Sequence, residues 1–283
     1  MLVLQAQGAS AEAFAALERM NGARCLRAGD GERHGPGLAR GLAAGGRVPI
    51  VLADRRALWL GAGETLRGWT RLGLPLVLVA DLSAGHDDRP WLDAPPLDLA
   101  ALPGFDVLHA ASPRELPALL AAALRAGDRP VVVAHGFDLA DDARPLDGAA
   151  PGARVLAHGG DVAILALGRG VAMARAATTT LAARGVGATL VDLVRAQPLD
   201  GDVARALARD HRALLVLEDP AMAAGIGAAV QHALGAADAG RLRVLRAGRR
   251  APRELVDAAL ALLGARGGGG MAGGGRDADP GWE

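Results

Sequence analysis

Glu32 heads the stretch Glu32-Arg33-His34-Gly35-Pro36-Gly37-Leu38-Ala39-Arg40-Gly41-Leu42-Ala43-Ala44-Gly45-Gly46-Arg47-Val48-Pro49, which runs into the apolar Ile50-Val51-Leu52-Ala53. A carboxylate at the mouth of a small-residue helix, a Gly-Gly stop and a buried strand make a βαβ fragment whose helix packs closely on its neighbours. Two chemistries are open to Glu32. It complements the positive end of the helix, worth under about 1 kcal/mol, or in an apolar surround it shares a proton with a ligand near neutrality. His34, in the same turn, is either a substrate contact or a packed or solvated residue. His86, Asp87, Asp88 and Asp93 set one imidazole among carboxylates, but without the spacing of a metal site, so a solvated loop is the plainer reading. Glu218 and Asp219 close an apolar run ahead of Gly225-Ile226-Gly227, where strand-end and capping roles are expected rather than acid–base work.

These residues need a scaffold, and the pattern supplies an α/β one. In the first half, apolar strands are expected at 24–30, 48–53, 74–81, 106–110 and 130–135, with helices at 11–20, 32–44, 57–72 and 112–126. Ser112-Pro113-Arg114-Glu115 opens the last of these helices, with Ser as cap and Pro at the first helical position. Continuous apolar strands alternating with helices argue a mostly parallel sheet covered on both faces. Residues 138–160 are rich in Asp, Ala, Pro and Gly without periodicity and read as a connection. A second unit follows, with strands at 162–167, 188–193, 213–217 and 242–245 and helices at 171–184, 202–209, 227–234 and 252–263. The expected architecture is therefore two doubly wound αβα domains, residues 1–145 and 146–264, ahead of a Gly-rich disordered tail, 265–283.

Composition removes several classes of function. The 31 basic and 31 acidic residues cancel, so charge gives no case for nucleic acid or an anionic membrane. Every basic residue is Arg and Tyr is absent, a bias of the kind a G+C-rich genome imposes. The one cysteine, Cys25, excludes an internal disulfide framework and a cysteine-cluster metal site. The start Met-Leu-Val-Leu-Gln has no basic lead, and no apolar run reaches the roughly 18 residues of a membrane span. A cytoplasmic protein is expected.

The Glu32-to-Pro49 stretch resembles, at the same spacing, the segment that opens the pyrimidine-binding domain of transketolase-like thiamine diphosphate enzymes. Pro75-Leu76-Val77-Leu78-Val79-Ala80-Asp81, Leu102-Pro103-Gly104-Phe105 and Ala111-Ser112-Pro113-Arg114-Glu115 look like that domain's later strand, turn and helix entry. Asp161-Val162 to Gly170, Val191-Asp192-Leu193, Arg195-Ala196-Gln197-Pro198-Leu199-Asp200, Val216-Leu217-Glu218-Asp219 and Gly225-Ile226-Gly227 look like the C-terminal domain shared by transketolases, deoxyxylulose-phosphate synthases and 2-oxo acid dehydrogenase beta subunits. The resemblance implies that Glu32 touches the aminopyrimidine ring of the cofactor and activates it. It also implies that Trp59 and Leu58 stand where the ring lies between side chains. The expected Phe and Tyr of that region are missing. The family's substrate histidine falls at Asp93, with His86 seven positions earlier, and the arginine that many members use for a sugar phosphate falls at Ala134, beside His135. His34, His86, Asp93 and His135 are the candidate substrate contacts.

A diphosphate cradle and magnesium ligands are missing. Gly29-Asp30-Gly31 begins like the diphosphate motif, but the asparagine that motif needs downstream does not exist, Asn21 being the only one and upstream. The resemblance thus implies half a cofactor site. Thiamine diphosphate would be shared with a diphosphate-binding, alpha-type partner subunit that also holds the Mg2+, in an α2β2 assembly. The expected activity is transfer of a two-carbon ketol or acyl unit between small carbonyl compounds. The alternatives are a 2-oxo acid dehydrogenase beta subunit and a non-catalytic, degenerate subunit that stabilises or regulates a partner.

Overall fold

The computed structural model describes residues 2–5, 24–27, 31–54, 66, 68–82, 102, 104–136, 152–218, 226–248 and 250–267. For Glu32 and His34 it describes the backbone alone. The first lobe holds strands β1 (Leu2–Gln5), β2 (Cys25–Arg27), β3 (Pro49–Asp54), β4 (Leu76–Asp81), β5 (Asp106–His109) and β6 (Pro130–His135), with helices α1 (Gly31–Ala44) and α2 (Leu116–Ala126). The second holds β7 (Arg154–Ala157), β8 (Val162–Ala166), α3 (Gly170–Ala183), β9 (Ala188–Asp192), β10 (Arg195–Gln197), α4 (Gly201–Asp210), β11 (Ala213–Glu218), α5 (Ile226–Leu234), β12 (Leu242–Arg246) and α6 (Ala251–Gly267).

Two sheets result. The first has the order β10-β5-β6-β4-β3-β1-β2 and the second β12-β11-β8-β9-β7. Every neighbouring pair in the first is parallel except β10 with β5, and every pair in the second except β7 with β9. The α/β class with mostly parallel strands is the one the sequence pattern indicates. Alternation along the central strands sorts the core: Val51, Ala53, Leu78, Ala80, Val132 and Ala134 join one apolar cluster. Ile50, Leu52, Val77, Val79, Val131 and Val133 join another, with Leu119 and Ala123 of α2. The first cluster runs on through Ala163, Leu165, Leu214 and Val216 of the second sheet, so apolar packing is continuous between the lobes. No helix among the described residues is long and apolar enough to cross a membrane.

The differences from the sequence-based expectations are local. Residues 154–157, expected within the connection, form β7, an edge strand paired with β9 across a register shift. Four residues between glycine-rich turns carry too little period-2 signal to announce a strand. Arg195–Gln197, read as a motif rather than as structure, is β10, which leaves the second lobe and pairs with β5 of the first sheet. Helix α6 continues to Gly267, into the stretch expected as tail, because Leu260, Leu262 and Leu263 still pack on the core. Ser112 is buried, but its hydroxyl makes no hydrogen bond. The Glu115 carboxylate reaches back instead to the Ala111 N–H at 2.9 Å, doing the cap's work from the other side of the turn. Helix 11–20 and residues 268–283 lie outside the described residues.

The lobes are joined at β10 and beneath it. The His109 N–H donates to the Val194 carbonyl at 2.8 Å, the Gln197 amide donates to the Leu102 carbonyl at 2.6 Å, and Arg195 pairs with Asp106 at 3.4 Å. Below them Arg154 donates to Asp192 Oδ2 from Nε at 3.0 Å and from a terminal nitrogen at 2.8 Å, and also to Glu115. Removing a cation that serves two buried carboxylates leaves both uncompensated, so Arg154→Met is expected to destabilise the chain by about 3–5 kcal/mol in urea unfolding. Gly227 has a similarly specific demand. Its N–H donates to Glu218 Oε1 at 2.8 Å, and a Cβ there would lie 2.6 Å from both methyls of Val244. Gly227→Ala is therefore expected to lower stability by about 1–3 kcal/mol in the same assay.

Candidate functional site

In an open parallel sheet the crevice outside the carboxyl ends of the strands is where ligands bind, because the connecting turns and helix N-termini converge there. In the first sheet β3, β4 and β6 end side by side, with Asp54 opposite Asp81 and Asp81 opposite His135 in one register row. Helix α1 packs against β1 and β3 and follows β2, so its first turn, with Glu32 and His34, belongs to the same edge. Pro36 lies inside α1 and has no N–H to offer the Glu32 carbonyl four residues back, which loosens the helix ladder where Glu32 sits. Gly37 and Gly41, one turn apart on α1, are exposed and a Cβ on either would meet nothing within 4 Å, whereas Gly35 is buried nearer the Glu32 side of the helix.

Asp81 and His135 make the polar centre of the described edge. Asp81 Oδ1 stands 3.8 Å from His135 Nδ1, and both side chains are 11% exposed, enough to meet a ligand at the strand ends. Burial pushes the His135 imidazole below its ordinary value of 6.5; Asp81 pulls it back and His109 pushes it further down. Near neutral pH His135 is accordingly a neutral imidazole able to accept or donate one hydrogen bond, beside a carboxylate.

The candidate residues separate clearly. Glu32, His34 and His135 share the strand-end edge. Leu58, Trp59, His86 and Asp93 lie outside the described residues. Ala134, where the resemblance expects an arginine in many members, is wholly buried between Ala80 and His109 of the neighbouring strands, in the core and not at the mouth. Glu218 closes β11 and accepts from the first turn of α5, the strand-end and capping role expected of it. Asp200 caps α4, accepting the Asp202 N–H at 3.0 Å. Asp81 was not among the sequence candidates; its place opposite a histidine follows from the direct pairing of β4 with β6, which skips β5 in chain order and which no local pattern reveals.

Among the described residues the second lobe has no comparable opening at the same place. Its sheet changes direction at β8, and Gly168, in the turn after β8 with φ +51°, lies directly against the His109 ring. His109 is itself fully buried. The crevice that a doubly wound sheet offers at such a point is plugged here by the first lobe. The described residues contain no group of three or more His, Cys, Asp and Glu that could hold a metal ion.

Comparison with known proteins agrees with this architecture. The family described as "Transketolase, C-terminal domain" matches residues 152–261. The 1-deoxy-D-xylulose-5-phosphate synthase of Syntrophomonas wolfei subsp. wolfei (strain DSM 2245B / Goettingen) is 30% identical over 213 residues, covering 72% of this chain and 33% of the synthase. The synthase of Rhodobacter capsulatus is 31% identical over 220 residues, 75% of this chain and 34% of its own length. The chain thus spans about a third of the length of these curated relatives. A solved structure titled "Split gene transketolase, inactive beta4 tetramer" has the same fold, with a TM-score of 0.76 at 23% identity over 93% of this chain and 91% of the other. With a matching C-terminal domain in the second lobe and synthase relatives aligned across most of the chain, the protein belongs to the transketolase-like family.

Proposed function

We propose that the chain is the beta-type subunit of a split, thiamine diphosphate-dependent enzyme of transketolase or deoxyxylulose-phosphate synthase type. It moves a two-carbon ketol or acyl unit and works with a diphosphate-binding subunit, as α2β2. The observation that carries this reading is the place of Glu32, in the first turn of α1 at the carboxyl edge of the first sheet, in helical phase with Ala39 and Ala43, which are buried. The similarity to about a third of a full-length synthase supports a division of the enzyme between chains. The structural neighbour's title names a split-gene protein whose beta chains alone are inactive.

In this reading Glu32 holds the aminopyrimidine ring through its carboxyl group and keeps a proton in position on the ring nitrogen. Gly35, one turn on from Glu32 with open space where a Cβ would stand, leaves room for a ring to approach that carboxyl closely. His135, kept neutral by burial and standing 3.8 Å from the Asp81 carboxylate, offers a hydrogen bond to a substrate hydroxyl or carbonyl without adding charge. Thiamine diphosphate, when bound, supplies the nucleophilic carbon, and its diphosphate and Mg2+ belong to the partner. A second reading, a non-catalytic subunit that only supports its partner, is favoured by Ala134, a buried apolar residue where the resemblance expects an arginine in many members.

The two readings part on one experiment. The chain is co-purified with a diphosphate-binding subunit encoded beside it, and turnover and assembly size are measured for wild type and Glu32→Gln. Loss of about 10²–10⁴-fold in kcat with an unchanged assembly is expected for a proton-handling carboxyl. Equal turnover in the variant overturns the catalytic reading, and an intact assembly with no turnover in either protein selects the supporting role.

A further inference from the structure

The joint between the lobes contains more charge than its geometry needs. Glu115 comes from the helical turn after β5, Asp192 from the end of β9 and Arg154 from β7. The two carboxylate side chains are fully buried and the guanidinium is 17% exposed. Every described group facing Asp192 is accounted for: Arg154 on Oδ2, the Val194 N–H on Oδ1 at 3.0 Å, Glu115 as a second carboxylate, and uncharged Ala166 opposite it on β8. One cation among two carboxylates leaves a net negative charge in the interior.

We propose that the Glu115–Arg154–Asp192 cluster is a proton-linked latch between the lobes: it binds one proton when the lobes are docked, becomes neutral, and grips more firmly than when both carboxyl groups are ionised. The proposal is independent of the cofactor reading, since all three groups lie in this chain and away from Glu32. Burial pushes the Asp192 carboxyl up from 3.8 to about 6, Arg154 opposes this and Glu115 adds to it. The folded value is the raised one, so the latch's contribution is complete below the unfolded value near 3.8 and is lost as the pH rises through about 6.

The test uses the chain by itself. Between pH 5 and 7 the unfolding equilibrium constant of wild type is expected to rise about tenfold more than that of Asp192→Asn, whose amide imitates the protonated carboxyl. Over the same range the exchange protection of the His109 amide, which donates to Val194 across the joint, is expected to fall in wild type and to stay level in the variant. Should Asp192→Asn fail to fold, Glu115→Gln serves in its place: with one carboxylate charge gone, the midpoint of the pH dependence moves to lower pH. Equal pH slopes in wild type and Asp192→Asn, or an unmoved midpoint in Glu115→Gln, overturn the latch. Glu32→Gln titrates like wild type, so a failure of the cofactor reading leaves this result standing.

Discussion

The crossing from Asp192 to Arg195 is the constraint on which the rest of the structure depends. The chain leaves the second sheet at Asp192, turns through Val194 and enters the first sheet at Arg195. Val194 has φ 56°, an unusual place for a β-branched residue, and the turn holds it there by seating its side chain in the core and its N–H on Asp192. Asp192 in turn needs Arg154, and Arg154 needs Glu115. This loop, its cap and one guanidinium therefore fix, together with the apolar packing continuous between the lobes, how the two sheets sit against each other.

That docking also divides the labour between lobes. Both sheets are of the doubly wound kind, and each would ordinarily present a binding crevice at the carboxyl ends of its strands. In the second lobe the place beside Gly168 is filled by His109, so the glycine serves protein packing instead of a ligand. In the first lobe the same edge keeps polar side chains, Asp81 and His135, at partial exposure. Two acidic residues of the second lobe have framework roles: Glu218 and Asp200 both satisfy helix N-terminal N–H groups.

Much of this was legible in the amino-acid order, for identifiable reasons. Strands such as Leu76–Asp81 and Ala213–Glu218 are buried along their whole length, so they write themselves as unbroken apolar runs. The sequence marks Gly227 only as part of Gly225-Ile226-Gly227, and the structure supplies the reason for it, the two Val244 methyls and the Glu218 carboxylate that a Cβ there would meet. What escaped notice was non-local or too short. Strand β10 has three residues and a partner almost ninety positions away, and β7 has four with an uneven register. The Arg154 cluster joins residues 38 and 39 apart in sequence, a separation at which neither period nor motif speaks. His135 could be picked out by its position at a strand end, whereas its partner Asp81 becomes visible only once the strand order is known.

The borrowed strand has a consequence for how the protein is made. Synthesis proceeds from the amino end, and the first sheet is closed along β5 by residues that emerge long after the others. Until then the nascent first half carries an unpaired hydrogen-bonding border, the kind of border that invites adhesion between growing chains. Maturation of this half must therefore wait on the ribosome, and a truncated product ending before the crossing would be sticky for reasons unrelated to any lost activity.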